Sequence, residues 1–213
     1  MQLRITEIFL SLQGETTTVG LPTVFVRLTG CPLRCQYCDT AYAFSGGSIV
    51  PLDRIVDEVQ GFGVNHVTVT GGEPLAQPDV FELLRRLCDL GLNVSLETSG
   101  ALDVQGVDAR VVKVLDFKTP GSGEVSRNRW QNLEHCHSSD QVKFVICSRA
   151  DYEWAKLQCD AYRIHAHVGE ILFSPSYTEL PARALADWIV ADKLPVRMQV
   201  QLHKILWGDE PGR

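Results

Sequence analysis

The 213-residue chain has no long apolar run and no concentrated positive charge. Because a membrane-spanning helix needs about 18 or more consecutive apolar residues, we expect none here. Residues 1–7 lack the basic stretch and apolar core of a signal peptide. A net charge of −6 without a basic run argues against a general nucleic-acid binder. These absences predict a cytoplasmic protein that binds neither membranes nor nucleic acid.

The seven cysteines contain only one cluster. Cys31, Cys35 and Cys38 have the spacing C-x3-C-x2-C, and the other four are scattered singly. Cysteine thiolates hold iron–sulfur clusters, and three ligands would leave one iron of a four-iron cluster open to a small molecule. The C-x2-C pair is also half of a common zinc site, but the chain has no second such pair. The spacing therefore favours an iron–sulfur site, with zinc or a disulfide as the alternatives.

The hydrophobic fraction of 45% and the charged fraction of 22% are typical of an ordered globular protein. Apolar periodicity predicts strands that alternate with helices, which is the pattern of a parallel sheet. The predicted strands span residues 3–10, 23–29, 66–70, 92–96, 111–117, 141–147, 171–173 and 195–202. The predicted helices span residues 51–59, 78–90, 150–162 and 179–191. No linker or repeat interrupts the series, so we expect one domain over residues 1–213.

Polar residues follow most of the predicted strands. The clusters are 70–73, 97–100, 116–118, 174–175 and His203, together with the three cysteines. Because parallel strands place their carboxyl ends on one rim, these clusters should converge there and form the active site. An alternative for Asp116 and Lys118 is a local ion pair. Arg27, a charge inside an apolar strand, is either salt-bridged at the surface or held toward a ligand carboxylate.

The cysteine motif, with Tyr37 before its last cysteine, resembles the signature of the radical S-adenosylmethionine (SAM) superfamily. The segment from Thr70 through Gly71-Gly72-Glu73-Pro74 resembles its second motif. Within that superfamily the whole chain resembles the 7-carboxy-7-deazaguanine synthases of queuosine biosynthesis. The segments that carry this resemblance are Leu12-Gln13-Gly14-Glu15, residues 25–30 leading into Cys31, Cys38-Asp39-Thr40, residues 116–123 and residues 201–204.

The resemblance implies an α/β fold, a compact and incomplete (β/α)6-type TIM-like barrel with its active site at the strand C-terminal rim. It also implies a homodimer and an electron donor such as flavodoxin or ferredoxin. The implied cofactors are a [4Fe–4S] cluster, SAM and Mg²⁺. The implied reaction converts 6-carboxy-5,6,7,8-tetrahydropterin to 7-carboxy-7-deazaguanine and ammonia by radical-mediated ring contraction.

The same resemblance implies roles for single residues. Cys31, Cys35 and Cys38 would hold the cluster, and Thr40 would ligate Mg²⁺. Arg27 would pair with the substrate carboxylate. The other implied substrate contacts are Leu12, Gln13, Gly14 and Thr70. The implied SAM contacts are Tyr37, Asp39, Gly72, Ser99, Lys118, Ser174 and Pro175. The chain departs from the family at Asp116-Phe117-Lys118, where some members have Ser-Pro-Lys, so only the lysine transfers.

Two other functions remain open from the sequence. A different radical SAM enzyme, such as an activase that installs a glycyl radical on a protein partner, would share both motifs. A zinc-stabilised or electron-carrying module without catalysis would share the cysteines alone. A requirement for Mg²⁺ discriminates against the first alternative, and metal analysis discriminates against the second.

Overall fold

The computed structural model describes residues 1–177, 179–208, 210 and 212. The strands are β1 (Gln2–Leu12), β2 (Pro22–Leu28), β3 (Ser48–Pro51), β4 (His66–Gly71), β5 (Asn93–Thr98), β6 (Val112–Phe117), β7 (Gln141–Ile146), β8 (Glu170–Pro175) and β9 (Arg197–Met198). The α-helices are α1 (Leu52–Gly61), α2 (Val80–Asp89), α3 (Arg149–Ala161), α4 (Ala182–Asp192) and α5 (Leu202–Trp207). None of these helices is long and apolar enough to cross a membrane.

The strands form one sheet in the order β3-β1-β2-β4-β5-β6-β7-β8-β9. Strands β2 and β4 to β8 form a series of six strands that are parallel to one another, and β9 extends this series. Among the described strands, the antiparallel pairs are those that β1 makes with β2 on one side and with β3 on the other. Within the described residues β3 and β9 are free edges, so the sheet does not close. This architecture confirms the predicted incomplete (β/α)6-type, TIM-like barrel.

Helices α1 to α4 cover the outer face of the sheet, as their sequence periodicity predicts. In α2, Val80, Leu83, Leu84 and Leu87 are buried at positions i, i+3, i+4 and i+7, which form one face of a helix. The apolar residues of the strands that face these helices are also buried and complete the core. The inner face of the sheet therefore remains available for a ligand cavity.

The prediction of one strand over residues 195–202 is wrong. Only Arg197 and Met198 pair with β8, and the chain then turns into α5. The cause is a set of contacts with the N-terminal loop. The Gln201 side chain donates to Glu15 Oε1 at 3.0 Å. The Leu202 backbone N–H donates to the Gly14 carbonyl oxygen at 3.0 Å. These bonds draw the chain away from the sheet edge.

A buried ion pair connects β6 to the turn before β7. Lys113 Nζ lies 2.9 Å from Asp140 Oδ2, and the two side chains are 2% and 0% exposed. The Asp140 carboxylate also accepts backbone hydrogen bonds from Lys113 at 2.7 Å and from His137 at 2.8 Å. Asp140 therefore accepts from three donors, and the Lys113 ammonium among them is buried.

We predict that Asp140→Ala lowers the free energy of unfolding by about 3–5 kcal/mol, because it leaves the Lys113 ammonium buried without its partner. Urea unfolding at pH 7, followed by circular dichroism, measures this change. The control is Asp187→Ala, which breaks an exposed pair with Arg183 and should leave the urea midpoint unchanged. Equal midpoints for the two variants would contradict the prediction.

Candidate active site

One cavity of about 920 Å³ occupies the inner side of the sheet and opens at the strand C-terminal rim. This volume is at the upper end of the roughly 300–1,000 Å³ of typical ligand pockets. Every site residue that the sequence predicted lines this cavity. They are Leu12, Gln13, Gly14, Arg27, Cys31, Cys35, Tyr37, Cys38, Asp39, Thr40, Thr70, Gly72, Ser99, Lys118, Ser174 and Pro175. The fold therefore brings together residues that are up to 163 positions apart in the sequence (12 to 175).

The three clustered cysteines lie on the loop after β2, and all three are free thiols that are partly buried. Burial raises the pKa of the Cys31 thiol, and it raises the pKa of the Cys35 thiol to about 11, although the Lys118 ammonium opposes both shifts. Such thiols stay protonated at neutral pH unless a metal displaces the proton. No other cysteine of the described chain lines the cavity.

The arrangement of these thiols bears on the choice between a cluster and a single ion. Among the described residues, no three His, Cys, Asp or Glu side chains are gathered closely enough to hold one metal ion. An iron–sulfur cluster distributes its thiolate ligands over several irons, so it needs a wider spacing than one zinc ion does. Three free thiols on one loop facing a large cavity fit a four-iron cluster with one open iron.

The Gly-Gly-Glu-Pro segment fixes the cysteine loop to β4 and β5. A Cβ on Gly72 would lie 2.2 Å from the Gly30 carbonyl oxygen, so only glycine fits against this loop. Glu73 is fully buried and accepts hydrogen bonds from the Thr98 hydroxyl at 2.9 Å and the Ser99 hydroxyl at 2.5 Å. The Ser99 hydroxyl, predicted to contact SAM, thus already donates a hydrogen bond to the Glu73 carboxylate. The sequence analysis assigned no role to Glu73, which joins this motif to the end of β5.

Two carboxylates and one ammonium form the polar floor of the cavity. Glu15 and Lys143 make an ion pair. Glu97 accepts hydrogen bonds from Gln13 Nε2 at 3.4 Å and from Thr70 Oγ1 at 3.2 Å. Burial, reinforced by the nearby Glu15 carboxylate, raises the pKa of Glu97. Burial opposes the charge of Lys143, but Glu15 and other carboxylates outweigh it and raise the pKa of Lys143.

The sequence analysis assigned no role to Glu15, Glu97 or Lys143. The sequence does contain an indication of a role for Lys143, because Lys143, like Arg27, is a charged residue inside an apolar strand. Glu97 belonged to a predicted strand-end cluster without being chosen from it. Their contacts depend on partners far away in the sequence, such as Glu15 and Lys143, which are 128 positions apart.

Arg27 is salt-bridged to Glu7 and also lines the cavity, so the predicted contact with a ligand carboxylate stays a prediction. Its Nε donates to Glu7 Oε1 at 2.8 Å, and its side chain is 14% exposed. Asp116 and Lys118 likewise form the local ion pair considered above, with 3.1 Å between Nζ and Oδ2. Asp116 Oδ1 and the Tyr37 hydroxyl are buried without a hydrogen-bond partner among the described residues. Both side chains line the cavity, where a ligand would satisfy them.

The C-terminal segment covers one side of the cavity. The Gln201 amide donates to Asp39 Oδ2 at 3.0 Å. Burial alone would raise the pKa of Asp39, but this hydrogen bond and the nearby cations outweigh burial and lower the pKa of Asp39. A Cβ on Gly14 would lie 2.1 Å from His203 Nδ1, so a larger residue there would displace the His203 ring. Gly208 lines the cavity too. Arg213 lies outside the described residues.

Several solved structures share this fold. The crystal structure of QueE from Escherichia coli matches with a TM-score of 0.72 and 22% sequence identity, over 94% of this chain and 94% of that chain. Streptococcus suis SuiB bound to precursor peptide SuiA matches with a TM-score of 0.60 and 16% identity, over 84% of this chain and 48% of that one. At these identities, the matches establish the fold alone.

Sequence comparisons establish the family. The radical SAM superfamily model matches residues 25–116. A 7-carboxy-7-deazaguanine synthase from Chlorobaculum tepidum is 44% identical over 98% of this chain and 96% of its own length. A synthase of the same name from Koribacter versatilis is 39% identical over 98% of both chains. These relatives span both motifs and the whole barrel, and the chain therefore belongs to the 7-carboxy-7-deazaguanine synthase family of the radical SAM superfamily.

Proposed function

We propose that this protein converts 6-carboxy-5,6,7,8-tetrahydropterin to 7-carboxy-7-deazaguanine and ammonia. The observation that carries the proposal is that three free thiols and Arg27 line one cavity at the rim of a radical SAM barrel. Full-length relatives named for this product favour it over the glycyl-radical activase and over a non-catalytic module.

Cys31, Cys35 and Cys38 would hold a [4Fe–4S] cluster beside the SAM site. When bound, the cluster and SAM supply the one-electron chemistry that begins the reaction. The electron would come from a separate donor, such as flavodoxin or ferredoxin. We also propose a single domain over residues 1–213 that functions as a cytoplasmic homodimer.

The chain's own groups would orient SAM. The candidates are Tyr37, Asp39, Gly72, Ser99, Lys118, Ser174 and Pro175. Tyr37 is well suited because its buried hydroxyl has no hydrogen-bond partner among the described residues, and Lys118 presents a buried ammonium held by Asp116. The Ser99 hydroxyl donates to Glu73, so its part would be to fix the loop beside SAM.

The substrate would lie between β2 and the N-terminal loop. Leu12, Gln13 and Gly14 would hold the pterin ring, partly through backbone groups, and Thr70 would contact it from β4. Arg27 would bind the substrate carboxylate with charge-assisted hydrogen bonds, which are stronger than neutral ones. Thr40 would offer its hydroxyl oxygen to Mg²⁺, a hard ion that keeps several ligands from water and substrate. Burial of these groups excludes bulk water and holds the reacting atoms in place.

We predict that anaerobically reconstituted protein, given SAM, a reductant, Mg²⁺ and 6-carboxy-5,6,7,8-tetrahydropterin, forms 7-carboxy-7-deazaguanine, detected by mass spectrometry. Cys35→Ala should abolish the product because it removes a cluster ligand. The matched control is Cys88→Ala, which changes a buried cysteine in α2 away from the cavity and should leave turnover intact. Formation of 5′-deoxyadenosine without the deazaguanine would contradict the proposed substrate.

We predict that Thr40→Val raises the Mg²⁺ concentration needed for half-maximal turnover by about tenfold or more, because it removes the ligating oxygen and keeps the side-chain shape. A Mg²⁺ titration of initial rates measures the effect. Iron content serves as the control for an intact cluster site. Identical titration curves for the variant and the wild type would remove Thr40 from the Mg²⁺ site.

A further inference from the structure

A β-bulge in β1 determines which residue faces Arg27. The ladder between β1 and β2 pairs Ile5 with Leu28, and a regular antiparallel register would then pair Thr6 with Arg27. The register instead shifts by one residue, and Glu7 lies opposite Arg27. Because directly opposed residues share a face of the sheet, the shift moves Glu7 from the core face to the cavity face. Bulges commonly redirect a side chain beside an active site.

Glu7 binds one particular edge of the Arg27 guanidinium. Its Oε1 accepts a hydrogen bond from Arg27 Nε at 2.8 Å and another from the Tyr42 hydroxyl at 2.7 Å. The rings of Phe9 and Tyr42 each lie with their centroids 5.9 Å from Arg27 Cζ. A salt bridge and two aromatic rings thus fix the plane of the guanidinium.

The remaining donors of Arg27 are those that a ligand would use. A guanidinium has five N–H donors and can bind a carboxylate through Nε with one Nη or through both Nη atoms. Glu7 already occupies Nε. Within the described residues, Arg27 makes no hydrogen bond through Nη1 or Nη2. The pair of Nη atoms is therefore the edge left for an incoming carboxylate.

We propose that Glu7 is a positioning residue, which occupies the Nε edge of Arg27 so that Nη1 and Nη2 bind the carboxylate of the pterin substrate. Tyr42 supports Glu7 by donating to the same oxygen. The inference rests on the proposed function, because it takes the carboxylate ligand of Arg27 from there. Glu7 does not itself touch the substrate, but it determines which donors of Arg27 contact the substrate.

Two ligands that differ only in the carboxylate isolate this role. The affinities of 6-carboxypterin and of pterin are measured from ligand fluorescence with the anaerobic holoenzyme. We expect Glu7→Met, which keeps the side-chain length and removes the acceptor oxygen, to weaken 6-carboxypterin binding by about tenfold or more. Pterin affinity should stay within about twofold, because the lost contact serves only the carboxylate.

The controls separate orientation from charge and folding. Glu7→Gln keeps an oxygen that accepts from both Arg27 and Tyr42, so it should restore 6-carboxypterin binding to within about threefold of the wild type. Glu58→Met removes the same charge from the exposed surface of α1 and should change neither affinity. Iron content of each variant reports whether it folds around its cluster.

Three results for the Glu7 variants would overturn the proposal. Glu7→Met could weaken both ligands equally, which would mean a general structural role. It could weaken neither, or Glu7→Gln could behave as Glu7→Met does. In each of these cases, the proposed role of Arg27 is still supported if the wild-type protein binds 6-carboxypterin more tightly than pterin. A wild type that binds the two ligands equally would remove the role of Arg27, and that of Glu7 with it.

Discussion

The Glu15 carboxylate ties the two ends of the open barrel together. It pairs with Lys143 on β7 and accepts hydrogen bonds from the side-chain amides of Gln199 and Gln201. The Thr16 backbone N–H returns a hydrogen bond to Gln199 Oε1 at 2.8 Å. A closed barrel would hold its last strands by a complete ladder, whereas this sheet ends in a two-residue strand. The buried ion pair and its amides take the place of that ladder.

The shape of the substrate site depends on these contacts between the N-terminal loop and the C-terminal segment. Gly14 lies against His203, and its carbonyl accepts from Leu202, so the N-terminal loop and the C-terminal segment form one wall. Gln201 bonds both Glu15 and Asp39, which links that wall to the cysteine loop. Groups proposed to hold the pterin, SAM and Mg²⁺ are thereby fixed relative to one another. Preorganisation of this kind lowers the cost of orienting the reactants.

Three cations of the cavity are paired before a ligand enters. Arg27 faces Glu7, Lys118 faces Asp116, and Lys143 faces Glu15. Buried charges need such partners, because isolated ones would carry a large desolvation penalty. Each pair also fixes a cation in one orientation, and a fixed guanidinium recognises a planar carboxylate better than a mobile one does.

Local patterns in the sequence predicted the parts of this site that depend on local physics. The periodicity of α2, the thiol spacing and the polar residues after strands all come from neighbours in the chain. The contacts of Glu15, Gln199 and Gln201 come from pairs up to 186 positions apart, and no local pattern reports them. No local pattern indicates the bulge that places Glu7 opposite Arg27 either, since the sequence predicts a regular strand over residues 3–10. The contacts of Gln201 and Leu202 with the N-terminal loop are also the reason why the strand predicted over residues 195–202 is wrong.

An anaerobic crystal structure of the reconstituted protein with SAM and 6-carboxy-5,6,7,8-tetrahydropterin tests the central claim most directly. The account predicts that the substrate carboxylate lies within hydrogen-bond distance of Arg27 Nη1 and Nη2, with Nε still bound to Glu7. It also predicts that the pterin ring lies against the backbone of residues 12–14. A carboxylate bound instead to Lys118 or Lys143, with Arg27 free of ligand, would contradict it.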